Sequence, residues 1–255
     1  MSLFDKFKKG LSLSSSSLSS GIKNIFSKKD IDLLKVRIEE FIKKKQNKFN
    51  RKKGDIHFVK NEINTIHTLH QERKNFEFIY KNKKLQKLLK KILSPKISLR
   101  AMELFAKPAK HGMKSPMHQD NFLWNIKNGK GLTVWVCLDR SNKKNGGISY
   151  IANSQKKGTL EHEASFAPGT SQKIKENILN KIIAKQKIIT PELKAGDVCL
   201  HSCLVVHGSN KNNSNLSRRG FTLQIKDRYA KYDYGKIKAY RQSLKKQISI
   251  MSKNN

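Results

Sequence analysis

Acidic side chains are scarce in this chain: 19 Asp and Glu stand against 54 Lys and Arg, a formal net charge of +35 over 255 residues. Such an excess invites a nucleic-acid or anionic-membrane reading. Arginine is scarce too, with nine of the 54 basic residues, and the lysines are spread along the sequence without a dominant block. Together with abundant Asn and Ile, this pattern favours a solvated lysine surface over a nucleic-acid groove. Cysteine is rare: Cys137, Cys199 and Cys203 form no CxxC pair and are odd in number. This argues against a disulfide framework, and a reducing, cytoplasmic setting is the expectation. No run reaches the roughly 20 apolar residues that cross a bilayer, and the N-terminus lacks the unbroken apolar core of a secretory signal. A phosphate loop of the form GxxxxGK[ST], a nucleophile elbow and a repeat period are all missing, which removes P-loop NTPases and serine hydrolases of the elbow type.

What is present falls into two parts. Residues 1–32 carry Leu3, Phe4, Phe7 and Leu11 at helical spacing among Lys6, Lys8 and Lys9, followed by the serine-rich run "LSLSSSSLSSGIKNIFSKKD". This reads as a flexible basic arm, open between contact with anionic lipid at the inner face of the membrane and simple solvation. It resembles the N-terminal leader of the bacterial signal-recognition-particle receptor, although the GTPase motif of that receptor is absent. Residues 33–255 read as one domain. Leu33, Leu34, Val36, Ile38, Phe41 and Ile42 predict a helix, and "NEINTIHTLH" and "LQKLLKKILS" predict two more, the last stopped by Pro95. The periodicity then changes: "ISLRAMELFAK", "GLTVWVCLD", "GGISYIAN", "AGDVCLHSCLVVHGS" and "RGFTLQIKDRY" predict strands. Helices followed by short strands imply an α+β fold, a β-barrel or sandwich with an N-terminal helical buttress.

Chemistry concentrates in "SPMHQDNFLW". On extended backbone His118 and Asp120 project to one face, and a facial-triad ferrous centre takes two histidines and one carboxylate while leaving positions open. His207 in "VVHGSN", at the end of an apolar strand, is the candidate third ligand. Arginine is rare enough here that "SRRG" stands out. Arg218 opens the following strand, and a planar guanidinium suits the remote carboxylate of a dicarboxylate co-substrate. Each feature alone also fits a polar turn, a strand-end histidine or a surface cation; together they form a constellation.

The runs "ELFAKPAKHGMKSPMHQDNFLW", "TVWVCLDRSNKKNGGISYIANSQKKGTLEHE" and "LKAGDVCLHSCLVVHGSNKNNSNLSRRGFTL" resemble the phytanoyl-CoA dioxygenase family of Fe(II)/2-oxoglutarate-dependent oxygenases, over Leu33 to Tyr229. The resemblance implies a double-stranded β-helix (a jelly-roll, cupin-like barrel) with His118, Asp120 and His207 on iron. It implies Arg218 on the far carboxylate of 2-oxoglutarate, with Ser209, Trp135 and Gln119 lining that pocket, and O2 as the second co-substrate. Where the family has a Gly-Ser-His turn this chain has Asn153-Ser154-Gln155, which touches no implied ligand.

The implied reaction hydroxylates an unactivated C–H bond of a small organic substrate and releases succinate and CO2. Retention of Asp120 favours hydroxylation over halogenation, in which that carboxylate is lost. For the substrate side the candidates are Trp124 and Asn125, which follow the HQD as wall or core, and His201, which shares the His207 face. Two alternatives stay open: the same chemistry on a polyanion such as nucleic acid, and a non-catalytic binding protein on the same barrel.

Overall fold

The computed structural model describes residues 22–45, 56–167 and 171–253. Its first helix, α1 (Lys28–Lys45), starts at a reciprocal cap. The Asp30 amide donates to Ser27 Oγ, and Asp30 Oδ2 accepts from the Ser27 amide, satisfying donors that a helix start leaves free. Strands β1 (Ile56–Val59) and β2 (Glu62–Ile66) form a hairpin. Lys60 and Asn61 turn it with φ of 47° and 66°, the doubly left-handed geometry of a type I′ turn. Helices α2 (Arg73–Tyr80) and α3 (Lys83–Ile92) follow. Asn82 caps α3 by accepting from the Leu85 amide, and Pro95 lies just beyond its end.

The remaining strands are β3 (Ile97–Lys107), β4 (Ser115–His118), β5 (Gly131–Cys137), β6 (Ile148–Ile151), β7 (His162–Ala164), β8 (Gln172–Ile174), β9 (Ile188–Ile189), β10 (Val198–Ser202), β11 (His207–Ser209) and β12 (Arg218–Asp227). Short α4 (Asp120–Trp124) follows β4, α5 (Glu176–Ile183) precedes β9, and α6 (Tyr234–Lys253) follows β12. A six-stranded antiparallel sheet runs β1-β2-β3-β12-β5-β10, and a four-stranded sheet runs β4-β11-β6-β9. Both contribute to the lining of one cavity between them, the arrangement of a double-stranded β-helix.

The alternation of the large sheet separates core from site. Leu132, Val134 and Val136 on β5, Phe221, Leu223 and Ile225 on β12, and Met102 and Leu104 on β3 all join the apolar cluster formed with α1, α2 and α3. The intervening residues Thr133, Trp135, Arg218, Thr222, Gln224, Glu103, Phe105 and Lys107 line the cavity. Phe76 of α2 meets Phe221 with ring centroids 5.8 Å apart, and burial of each such side chain contributes about 1.5–3 kcal/mol. The buttress thus stabilises the sheet whose other face carries the polar groups.

Two expectations need correction. "NEINTIHTLH" is not a helix: Ile63, Ile66 and Leu69 mimic helical spacing, but the free edge of β3 takes residues 62–66 as a strand, with Thr65 opposite Phe105. The arm expected over residues 1–32 does not include 22–32. Ile22 exchanges backbone hydrogen bonds with Val198, and Ile25, Phe26 and Ile31 sit in the core. Residues 1–21 lie outside the described residues. Helix α6, which the sequence pattern did not suggest, packs against α4 and β7, and Tyr240 OH lies 2.8 Å from Ser171 Oγ. Among the described residues no helix is long and apolar enough to cross a membrane.

Candidate active site

Strand pairing explains how residues far apart in the chain meet. In the β4–β11 ladder His118 is the direct cross-strand partner of His207, and their ring centroids are 4.3 Å apart. The close approach needs Gly208, because a Cβ there would come within 2.8 Å of the Ser115 carbonyl oxygen. Gln119 is extended, with φ −124° and ψ 132°, so Asp120 returns to the His118 face as the first residue of α4. His118, Asp120 and His207 each present a ligand atom, all within 4.8 Å of one another.

Hydrogen bonding fixes the tautomers. His118 Nδ1 lies 2.9 Å from the Pro116 carbonyl oxygen and His207 Nδ1 3.1 Å from that of Val205. A carbonyl only accepts, so each Nδ1 carries the proton and donates. Each Nε2 is left with a bare lone pair towards Asp120 Oδ1, at 3.9 Å and 3.6 Å respectively. Burial lowers both histidines to about 4, so they are neutral near pH 7. Burial alone would raise Asp120, yet His207, His201 and His118 outweigh it and hold the carboxyl below its ordinary range. Two neutral imidazoles and an ionised carboxylate facing a common point form the donor set of a divalent transition-metal site.

Two further groups address Asp120. Thr133 Oγ1 donates to Oδ2 at 2.6 Å, and His201 Nε2 lies 3.4 Å from the same oxygen. His201 Nδ1 is 3.2 Å from Tyr150 OH, whose pKa burial raises well above the phenolic value. Thr133 escaped the sequence reading. Its signal lay in the alternation of β5, which puts Thr133 on the cavity side directly opposite His201.

At the other end of the cavity Arg218 lies 5.1 Å over the Trp135 ring, which stacks on Phe105. Its guanidinium donates to the Gly146 carbonyl, while its buried Nε finds no hydrogen-bond acceptor among the described residues. Ser209 lines the same cavity. Arg219, one residue on, faces out and grips Asp139 through Nε at 2.8 Å.

Three expected site residues are not brought to the cavity. Gln119 is fully buried with its amide committed elsewhere: Nε2 donates to the Gly158 and Leu204 carbonyls, and Oε1 accepts from the Leu160 amide. Trp124 packs with Ile126 and Cys203, under the Arg100 guanidinium. Asn125 ends α4 in the left-handed region at φ 52°, donating to the Phe122 carbonyl. The start of a helix at Asp120 turns these two away. His201 does line the cavity.

A jelly-roll whose cavity holds a two-histidine, one-carboxylate cluster and a buried arginine defines a class, the non-haem oxygenase type of barrel. The chain belongs to the phytanoyl-CoA dioxygenase (PhyH) family, whose model matches residues 21–220. It is 28% identical over 167 residues to phytanoyl-CoA dioxygenase domain-containing protein 1 of Danio rerio, covering 62% of this chain and 55% of that protein. A probable alpha-ketoglutarate-dependent hypophosphite dioxygenase of Stutzerimonas stutzeri is 26% identical over 145 residues, 55% of this chain and 49% of the relative. The chain thus spans about half the length of these curated relatives. Among solved structures, EctD from S. alaskensis with bound Fe superposes with a TM-score of 0.68 at 19% identity, over 87% of this chain and 79% of that one. The carbocyclase SnoK from nogalamycin biosynthesis gives 0.65 at 16% identity, over 88% and 87%. At these identities the structural matches establish the fold.

Proposed function

We propose that the protein is a non-haem Fe(II)- and 2-oxoglutarate-dependent dioxygenase that hydroxylates a C–H bond of a small organic molecule. The observation that carries this reading is the convergence of His118, Asp120 and His207 on one point, with both imidazole tautomers set for Nε2 ligation. These residues fit a ferrous ion, and the buried, acceptor-free Nε of Arg218 fits the remote carboxylate of 2-oxoglutarate. Relatives add support: one carries alpha-ketoglutarate dependence in its name, and EctD has been solved with iron and with 2-oxoglutarate.

When bound, iron and co-substrate supply the oxidising chemistry, with succinate and CO2 as by-products. This chain's side chains hold and orient. His118 and His207 stay neutral through burial, and their backbone acceptors lock the ring planes. Thr133 fixes one Asp120 oxygen, which leaves the other for the metal. Arg218, stacked on Trp135, would hold the remote carboxylate of a diacid, in a cavity that Ser209 also lines. Retention of Asp120 keeps the third protein ligand in place, which supports hydroxylation as the outcome.

The test is anaerobic loading with Fe(II) and 2-oxoglutarate, admission of O2, and quantitation of succinate alongside a screen for substrates gaining one oxygen. Succinate release that requires Fe(II) and disappears in His118→Ala and Asp120→Ala is the expected result. Release unchanged in both variants would end the proposal.

A further inference from the structure

Arg218 is not the only cation at the deep end of the cavity. In the β3–β12 ladder its direct cross-strand partner is Lys107, and both residues line the cavity. Lys107 is 5% exposed and Arg218 1%. The two side chains converge on the Gly146 turn. Arg218 donates to the Gly146 carbonyl, and a Cβ on Gly146 would come within 2.7 Å of Lys107 Cδ. Lys107 Nζ donates to the Met113 carbonyl, which uses one of the three protons of an ammonium. Among the described residues no acidic side chain pairs with either cation; the neighbouring carboxylate, Asp139, is taken by Arg219. Two buried, adjacent positive charges without an anion are costly, and such charges are ordinarily paired.

On the reading proposed above, we infer that Lys107 is a second cation of the co-substrate pocket, holding the remote carboxylate of 2-oxoglutarate together with Arg218. That carboxylate then supplies a counter-charge that the protein itself does not. Lys107 acts as a binding residue for the diacid and has no part in metal ligation. Its surroundings agree. Burial, reinforced by Arg218, lowers its pKa to about 7. The charged group acting on it is Arg218 on β12; Lys114 ahead of β4, Glu103 on β3 and Asp120 also line the cavity. An arriving carboxylate reverses that balance and raises the pKa, so binding above pH 7 takes up a proton and weakens as pH rises.

The experiment is calorimetric titration of the Fe(II)-loaded protein, without oxygen, with 2-oxoglutarate and with 2-oxopentanoate, which lacks the remote carboxylate. The wild type and Lys107→Met are compared; methionine keeps the stem that packs against Gly112 and Gly146. A loss on the order of tenfold for 2-oxoglutarate, with 2-oxopentanoate unchanged, is expected. Wild-type titrations at about pH 8 in buffers of different ionisation enthalpy should register proton uptake for the diacid and none for the monoacid. Equal 2-oxoglutarate affinity in wild type and variant overturns the inference, and so does an equal loss for both keto acids, which would assign Lys107 to packing. If the variant fails to fold, absence of proton uptake by the wild type overturns it. If the wild type binds neither keto acid, the dioxygenase reading falls with it, whereas succinate-forming turnover with a silent Lys107 sinks the inference alone.

Discussion

Thr133 Oγ1 donates a 2.6 Å hydrogen bond to Asp120 Oδ2, tying the large sheet to the start of α4, just beyond the small-sheet strand β4. The bond decides which carboxylate oxygen faces the two histidines. Thr133→Val keeps the side-chain shape and deletes the donor. Metal affinity should fall by roughly 10–100-fold, as for other groups that orient ligands, with the fold unchanged by circular dichroism. Competitive metal titration against a chromophoric chelator checks it; affinity equal to wild type would show that Asp120 needs no such restraint.

Gly220 permits the stacking at the deep end. A Cβ on it would come within 2.1 Å of Trp135 Cζ2, so Gly220→Ala must push the indole off Phe105 and from beneath Arg218. Stability should drop by about 1–3 kcal/mol, as for other overpacked sites. Denaturant unfolding and 2-oxoglutarate titration read the two effects, and a variant with wild-type values in both would refute the steric argument.

His162 supplies a pH dependence. Its Nδ1 donates to the Leu160 carbonyl, and its Nε2 accepts from the Gln119 amide, a pattern available only to the neutral ring. Burial lowers its pKa from 6.5 to about 4. The unfolded chain therefore binds more protons between these values, and stability falls as pH drops through that window. Above about 6.5 the group contributes no slope. Metal-free protein should lose stability on acidification from pH 6.5 towards 4, and His162→Asn should lose less steeply. His118, His207 and His57, lowered likewise by burial, and carboxyls held below their ordinary range, Asp120 and Asp139 among them, add to the slope. Identical slopes in variant and wild type would discount His162.

Two truncations separate the arm from the core. Removal of residues 22–32 along with 1–21 strips Ile25, Phe26 and Ile31 from the apolar cluster, at about 1.5–3 kcal/mol each. Removal of 1–21 alone spares them. The longer truncation should unfold at much lower urea concentration than the shorter one, and matching midpoints would contradict the packing described. Only the protein lacking 1–21 alone is fit for comparison with the full chain in vesicle binding.

The legible parts of the sequence were those with a strong local signal. The strand from Ile97 to Lys107, the all-buried run at Gly131–Cys137 and the ligand pattern 118/120/207 could be read because alternation and residue chemistry agree there. Ile63 and Ile66 misled because their spacing of three reads as a helix, while the strand they belong to is held by a partner 40 residues away in sequence (Thr65 against Phe105). Gln119 was credited with a cavity role through its neighbours. Its amide instead binds the Gly158, Leu204 and Leu160 backbone, partners that only the folded chain brings near. Lys107 passed unnoticed among so many lysines, since burial of one cannot be read from composition.

The Arg218–Arg219 step places two electrostatic regimes one residue apart. Arg219 is about a third exposed, and with Asp139, Glu39 and Lys35 it fastens helix α1 to the barrel rim. Dissolved ions screen that partly exposed clasp more strongly than the guanidinium of Arg218, which is 1% exposed. Rising ionic strength will therefore slacken the helical jacket while the interior arginine keeps more of its field, so salt tolerance of the scaffold and of diacid capture should part company.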